Sequence, residues 1–462
     1  MAYDLIVLGS GPGGYPAAIR ASQMGKKVAI IERESLGGIC LNWGCIPTKA
    51  LLKSAVVLQQ AKHAADYGLE INEPKANFES VIKRSRGVAD KMNKGVQFLM
   101  KKYKIDVIMG NGKLVAKDKI EVTSNDGKKQ TVEAKNIIIA TGARARELPA
   151  LKIDGKKIVG YRDAMVLSSQ PKSMIIVGSG AIGTEFAYFY NSMGTKVTIV
   201  EFLPRVVPVE DEDVSKELEK SFKKQGIDIM TNSEVTKVDT GGNGVKATIK
   251  TEKGEVTLEA DVLISAVGIS ANIENIGLEE LGIKTDKGRI VVNEFQQTNV
   301  PNIYAIGDCT PHQALAHKAT KEGINAAEHL CGKTPEPIDY NNVPGCTYCS
   351  PEIASVGYTE KDAKEAGFDL KIGKFPFVAS GKATAVGDTT GFVKIIYDSK
   401  YGELLGCHMI GYNVTELIAE VVVARKLETT AHEILNAIHP HPTMSEAVKE
   451  ATAVAYGEAT DL

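Results

Sequence analysis

Residues 4–32 read DLIVLGSGPGGYPAAIRASQMGKKVAIIE, and residues 173–201 read SMIIVGSGAIGTEFAYFYNSMGTKVTIVE. Each opens on a short apolar run, Asp4–Leu8 or Ser173–Val177, of the kind that forms a buried strand. Each then passes through G-x-G-x-x-G, carried by Gly9, Gly11 and Gly14 in the first and by Gly178, Gly180 and Gly183 in the second. A helical stretch follows, and a second strand ends on an acid, Glu32 or Glu201, 23 positions after the first glycine in both cases. One such fingerprint is weak evidence, because glycine-rich turns are common. Two, each between a strand and a helix and each followed by an acid, predict two Rossmann-type βαβ units and two bound dinucleotides. The glycines let backbone N–H groups approach a pyrophosphate at a helix N-terminus, and the carboxylate accepts from ribose hydroxyls. The plainer reading of Glu32 and Glu201 is a solvated residue at a strand end. A carboxylate at Glu201 would repel the 2′-phosphate of NADP, so the second unit is expected to take NAD, with Arg205 the one feature that softens this.

Cys40 and Cys45 enclose Leu41, Asn42, Trp43 and Gly44, and Pro47 opens an expected helix to about Lys62. Proline suits a first helical turn, which places Cys45 just before or at the helix N-terminus, where the macrodipole and free N–H groups favour a thiolate. Cysteines five apart across a loop can reach disulfide distance, and the motif suits reversible dithiol–disulfide chemistry. The bland alternative is two small buried hydrophobes. Zinc is poorly supported, since no second pair stands at ligand spacing. Lys49, one turn after Cys45, is either a solvated lysine or a cation that stabilises an anionic thiolate.

Toward the C-terminus, His439 and His441 stand in a proline-rich turn before a helix expected from Met444 to Tyr456. Histidine exchanges a proton near neutral pH, as thiol chemistry requires, and Glu446 is placed to orient it. Thr443 and Glu446 equally fit the capping box T-x-x-E, which leaves the glutamate's role open between catalysis and helix closure. Cys346 and Cys349 form a single C-x-x-C with no partner set, expected to be bystanders.

A chain of 462 residues exceeds what one core sustains, so two to four domains are expected. A composition of 43% hydrophobic and 24% charged residues is ordinarily globular. A net charge of −2 and a pI near 6.5 give no footprint for nucleic acid or an anionic membrane. Apolar runs such as Ile137–Ala140 and Val421–Ala424 are far shorter than the roughly 18 residues of a membrane span. The start of the chain shows no signal-like run, which with seven cysteines reads as a cytoplasmic protein with reduced thiols. The fold class expected is α/β: two Rossmann-type dinucleotide-binding domains and a C-terminal α+β domain with its own sheet, including strands at Ala354–Tyr358 and Gly391–Tyr397 and a helix at Val414–Lys426. Apolar strands run into glycine at 136–142 and 262–268, and a proline-bearing linker follows Gly332. Boundaries are placed to give segments 1–147, 148–268, 269–339 and 340–462.

Taken together, residues 37–49 (GGICLNWGCIPTK), Ala140-Thr141-Gly142, Ile306-Gly307-Asp308 and His441-Pro442-Thr443 with Glu446 resemble the pyridine nucleotide disulfide oxidoreductases over essentially the whole chain. The resemblance is nearest to the branch that oxidises protein-bound dihydrolipoamide with NAD. It implies that segments 1–147 and 269–339 bind FAD through the first fingerprint, Glu32, Thr141, Gly142 and Asp308, the last meeting the ribitol chain. It implies that segment 148–268 binds NAD through Gly178, Gly180, Gly183, Glu201 and Gly268. Cys45 would face the flavin and Cys40 exchange with substrate. Glu185 would lie beside the nicotinamide and pair with Lys49. His441, oriented by Glu446, would be the acid–base, supplied across a homodimer held by segment 340–462. The implied partner is a lipoyl domain of a 2-oxo acid dehydrogenase complex or a glycine cleavage carrier protein. Reductases acting on glutathione would carry basic residues where Glu201 stands, and those acting on mercuric ion would end in a cysteine pair rather than Ala-Thr-Asp-Leu. A flavin transhydrogenase or a non-catalytic flavin scaffold would not need the cysteines, the histidine and the glutamate together. Two departures stand out: the loop after Asp308, with Cys309, lacks the usual glycine, and Cys346 and Cys349 fall where cysteine is not expected.

Overall fold

A computed structural model describes residues 2–461. They divide into two compact units. The first comprises the chain through Leu51, Glu79–Arg146 and Gly268–Ile338, and the second Leu52–Phe78, Glu147–Val267 and Asp339 onward.

In the first unit, strand Tyr3–Leu8 lies between Val28–Glu32 and Lys129–Ile139, all parallel, with Asp106–Met109 outside Val28–Glu32 and Ile303–Ala305 outside Lys129–Ile139. At the centre of this sheet, Leu5–Leu8, Val28–Ile31 and Ile137–Ile139 are buried and read as unbroken apolar runs. Lys129–Ile139 serves two sheets. Its exposed first half pairs antiparallel with Lys119–Thr123, which pairs with Asn111–Ala116, and its second half ends in the three buried isoleucines Ile137–Ile139 against Tyr3–Leu8. Helices Gly14–Gln23 and Ala316–Leu330 both pack on this sheet's core through Ala17, Ala18 and Ala21 and through Ala326 and Ala327.

The second unit contains a five-stranded parallel sheet in the order Asp228–Met230, Lys196–Val200, Ser173–Val177, Val262–Ser265, Ile158–Val159. It carries an antiparallel three-stranded sheet, Glu234–Asp239, Val245–Thr251 and Gly254–Ala260. It also contains an antiparallel five-stranded sheet in the order Gly345–Thr347, Glu352–Gly357, Leu404–Gly411, Gly391–Asp398, Leu370–Pro376. Val414–Lys426 and Glu446–Tyr456 bury Ile418, Val421, Val448 and Ala451 against Val393, Ile395 and Met409 of that sheet.

Two groupings differ from the sequence reading. Segments 147–267 and 339 onward form one unit, tied by ion pairs from the buried Lys394 to Asp211 and Asp213. Leu52–Phe78 joins them because Phe78 packs on Phe189 and Tyr190, Gln59 donates to Ser192 O at 3.1 Å, and Tyr67 donates to Val386 O at 3.0 Å. Among the described residues no helix is long and apolar enough to cross a membrane.

Candidate active site

The two fingerprints are built alike. A Cβ on Gly9 would stand 2.2 Å from Ala140 O and one on Gly14 2.0 Å from Gly9 O; the counterparts, Gly178 on Ala266 O and Gly183 on Gly178 O, meet at 2.4 and 2.0 Å. These glycines are demanded by the fold itself. Gly11 and Gly180 face open space, with nothing within 4 Å of an added Cβ, and there a pyrophosphate can approach the backbone. Glu32 is buried: Oε2 accepts from Ser10 N at 3.0 Å and Ser10 Oγ at 2.6 Å, and Oε1 from Glu34 N at 2.8 Å. Glu201 repeats this with Ser179 N at 2.7 Å, Ser179 Oγ at 2.6 Å and Leu203 N at 2.8 Å. The solvated strand-end reading of both glutamates therefore fails. Ser10 and Ser179 were missed by the sequence reading, although the shared G-S-G is their signal.

The redox segment is bonded to the first fingerprint. Gly37 N–H donates to Ser10 O at 3.1 Å and to Ser10 Oγ at 3.2 Å. Gly38, at φ +59°, sits so close that a Cβ would meet Gly11 Cα at 2.6 Å. The stretch between the cysteines is helical rather than the expected loop: Gly38–Trp43 forms one short helix containing Cys40, and Cys45, not Pro47, begins the next, which runs to Lys62. Packing explains this. Asn42 Nδ2 donates to Leu36 O and Gly38 O at 3.0 and 2.9 Å, Trp43 Nε1 donates to Glu34 Oε1 at 2.8 Å, and the Arg86 guanidinium lies 4.3 Å over the Trp43 ring.

The Cys40 thiol hydrogen-bonds to Cys45, and that bond, with burial, pushes its pKa up, while the Lys49 charge pulls it down.

Thr141 follows strand Lys129–Ile139, with its Oγ1 buried beside the Cys309 thiol. Gly142, at φ +67°, opens onto space, and Asn272 Nδ2 donates to Thr141 O at 3.0 Å. Asp308 lies in the short 3-10 helix Gly307–Cys309 that follows the adjacent strand Ile303–Ala305, its carboxyl pushed up by burial against the pull of Lys318 and Arg289. A buried hydroxyl, an open glycine cradle and a desolvated carboxyl on one parallel-sheet edge fit FAD. The loop after Asp308 explains its departure from glycine: His312 adopts φ +70°, a left-handed conformation that histidine tolerates better than most residues. Cys309 is buried in the sheet core, its thiol pushed up to about 11 by burial.

In the second unit, Glu185 is buried on helix Ala181–Met193 and accepts from Tyr348 N at 3.0 Å. Gly268, in the first unit at φ +105°, follows strand Val262–Ser265 and leaves open space. Cys346 packs beside the C-terminal core, and Cys349 is buried and donates to Pro351 O at 3.2 Å. Among the described residues no group of three or more acids, histidines or cysteines is placed to hold a metal.

His441 Nδ1 lies 2.8 Å from Glu446 Oε1, while Glu446 Oε2 accepts from Thr443 N at 2.8 Å. One carboxylate makes both contacts, but the helix begins at Glu446 with Ser445 as its N-cap, later than the expected Met444, so the Thr443 bond closes the turn ahead of the helix rather than a capping box. The His441 side chain is 78% exposed, whereas His439 is 7% exposed and bound to Glu420 at 2.7 Å. Burial opposes the shift, but the Thr443 N–H and the His441 ring hold the Glu446 carboxyl below its ordinary range.

Residues 3–323 match the model of the pyridine nucleotide-disulphide oxidoreductases, and residues 343–452 match that family's dimerisation domain. The chain belongs to this family. As a family member it is an FAD-dependent, NAD-linked disulfide oxidoreductase of α/β fold, with two Rossmann-type domains and a dimerisation domain that supports a homodimer. It is 52% identical to a dihydrolipoyl dehydrogenase of Rhizobium etli, with 98% of each chain covered. It is 46% identical to the Bacillus subtilis protein of that name, over 99% of this chain and 98% of the other. Among solved structures, LpdA from Mycobacterium tuberculosis superposes with a TM-score of 0.91 at 28% identity, covering 97% of this chain and 98% of that one. The flavoprotein disulfide reductase RclA from Escherichia coli superposes at 0.87 and 27% identity, covering 98% and 99%.

Proposed function

We propose that the chain oxidises dihydrolipoamide on a lipoyl-bearing protein and reduces NAD, through the Cys40–Cys45 pair. The observation that carries this is the thiol contact between Cys40 and Cys45 on a segment hydrogen-bonded to the first fingerprint loop. When bound, FAD supplies a two-electron carrier between the cysteine pair and NAD. Segments 1–147 and 269–339 hold it, with Glu32 fixing the loop, Thr141 and Gly142 cradling it, and Asp308 meeting the ribitol. Segment 148–268 holds NAD on Gly178, Gly180 and Gly183, with Glu201 selecting against a 2′-phosphate, Gly268 lining the site and Glu185 beside the nicotinamide.

His441, oriented by Glu446, takes a proton from one dihydrolipoyl thiol. The resulting thiolate attacks Cys40 Sγ, the Cys40–Cys45 bond breaks, and Cys45 leaves as a thiolate favoured by its helix N-terminus and Lys49. The second lipoyl thiol then attacks the first lipoyl sulfur and displaces Cys40, its own proton passing to the leaving Cys40 sulfur while His441 keeps the first. The lipoyl group loses two electrons to form its disulfide and the cysteine pair gains them. An acid–base so exposed in a single chain suits a shared site, completed in the dimer by the partner subunit's His441. Lipoyl domains of 2-oxo acid dehydrogenase complexes or a glycine cleavage carrier are the partners, and the cytoplasm, which keeps thiols reduced, is the compartment.

The test is anaerobic mixing of the purified protein with dihydrolipoamide and NAD. The wild type should form NADH, and Cys45→Ser should form essentially none; equal rates in the two would refute the assignment.

A further inference from the structure

Helix Ala316–Leu330 buries a full ion pair that begins in its first turn: Lys318 Nζ lies 3.2 Å from Glu322 Oε1, with side-chain exposures of 0% and 1%. Removing two charges from water costs several kcal/mol each, and apolar replacements of similar volume are often as stable or more so. A pair kept at that cost asks what it holds. Both members close on one residue. Glu322 Oε2 accepts the Gly307 N–H at 2.7 Å, and Lys318 Nζ donates to Gly307 O at 3.1 Å. Lys318 also reaches Pro311 O at 3.3 Å, and Thr310 Oγ1 bonds the same Gly307 O at 2.7 Å. Gly307, at φ +76°, immediately precedes Asp308, whose carboxyl feels the Lys318 charge.

The same helix also holds the fingerprint loop. Thr320 Oγ1 donates to Pro12 O at 2.8 Å, and Gly323 lies so close that a Cβ would meet Gly13 O at 2.3 Å. One helix thus fixes the two loops that the FAD reading assigns to the pyrophosphate and the ribitol.

We propose that Lys318 and Glu322 are positioning residues for the flavin: they hold the peptides on both sides of Gly307, by its N–H and its C=O, set the aim of Asp308, and hold opposed charges within electrostatic reach of the flavin site. This rests on the FAD reading of the first fingerprint and names residues that the motifs do not.

The test uses the purified holoenzyme, with the rate of FAD release read by fluorescence and the flavin midpoint potential by redox titration. Lys318→Met should release FAD at least about tenfold faster than the parent, and Lys318→Arg, which keeps the charge and a donor, should fall between the two. The potentials should move in opposite directions. Lys318→Met leaves Glu322 uncompensated and lowers the potential, since the reduced flavin carries more negative charge; Glu322→Gln leaves Lys318 uncompensated and raises it. A tenfold change in the relative stability of the two flavin forms is about 30 mV for a two-electron couple. Release within twofold of the parent in both charge-removing variants, or potentials that move the same way, would overturn the proposal and leave the pair as packing. If Lys318→Met does not fold, Glu322→Gln decides alone, an unchanged release rate and potential counting against. A colourless parent protein would instead refute the FAD reading itself.

Discussion

His439 and His441 stand two residues apart, yet their surroundings give them different work. His439 is packed away against Glu420, while His441 projects into solvent with its Nδ1 on Glu446. That contact leaves Nε2 as the exposed nitrogen through which a proton can pass. His441→Gln is expected to retain FAD and the dimer but lose at least about 10²-fold in lipoamide turnover, the scale of a positioned acid–base; steady-state assay and flavin absorbance check both halves. Glu446 carries a pH signature. Its folded pKa is depressed below 4.5, so the stability it contributes is complete above that value and lost only as the pH falls through the lower, folded pKa. The difference in Tm between the parent and Glu446→Gln should stay level from neutral pH to about pH 5 and close below about pH 4, within the carboxylate range. A gap already closed by pH 6 would contradict the assignment. The sequence could pose the choice between cap and catalyst at Glu446 but not settle it, because a carboxylate has two oxygens and spacing does not say where each points.

At the level of elements, both βαβ units, the helix at Val414–Lys426 and the strand register into glycine were legible because each is a local pattern of apolar period and turn residue. The stretch between the cysteines was not. Glycine on both sides and the lack of a long apolar period read as loop, yet Asn42, Trp43, Glu34 and Arg86 supply the bonds that make it a helix. Gly38 is the joint between this helix and the phosphate loop. Gly38→Ala would add left-handed strain of about 1–2 kcal/mol and a clash with Gly11, so it should lower both Tm and the fraction of protein purified with FAD. Full flavin occupancy with unchanged Tm would show that the two segments are not coupled as described.

Across the whole molecule, what escaped the sequence reading is long-range pairing. Lys394, 3% exposed, meets Asp211 at 2.9 Å, Asp213 at 3.2 Å and Glu360 at 2.7 Å, and no spacing rule links residues so far apart in the chain. The same holds for Gly307 and Glu322, joined only by folding. Lys394→Met would leave Asp211 buried without its cation and should cost about 3–5 kcal/mol, visible as a large fall in Tm; a change below about 1 kcal/mol would mean the carboxylates are relieved by water. The central claim is that an electron pair passes through Cys40 and Cys45 on its way between the lipoyl group and the nicotinamide. Its most direct test is anaerobic reduction with one equivalent of NADH, followed by alkylation and mass mapping of every cysteine. The account predicts that Cys40 and Cys45, and no other cysteine, become newly alkylated in step with NADH consumption. NADH consumed with both sulfurs still resistant to alkylation would contradict it.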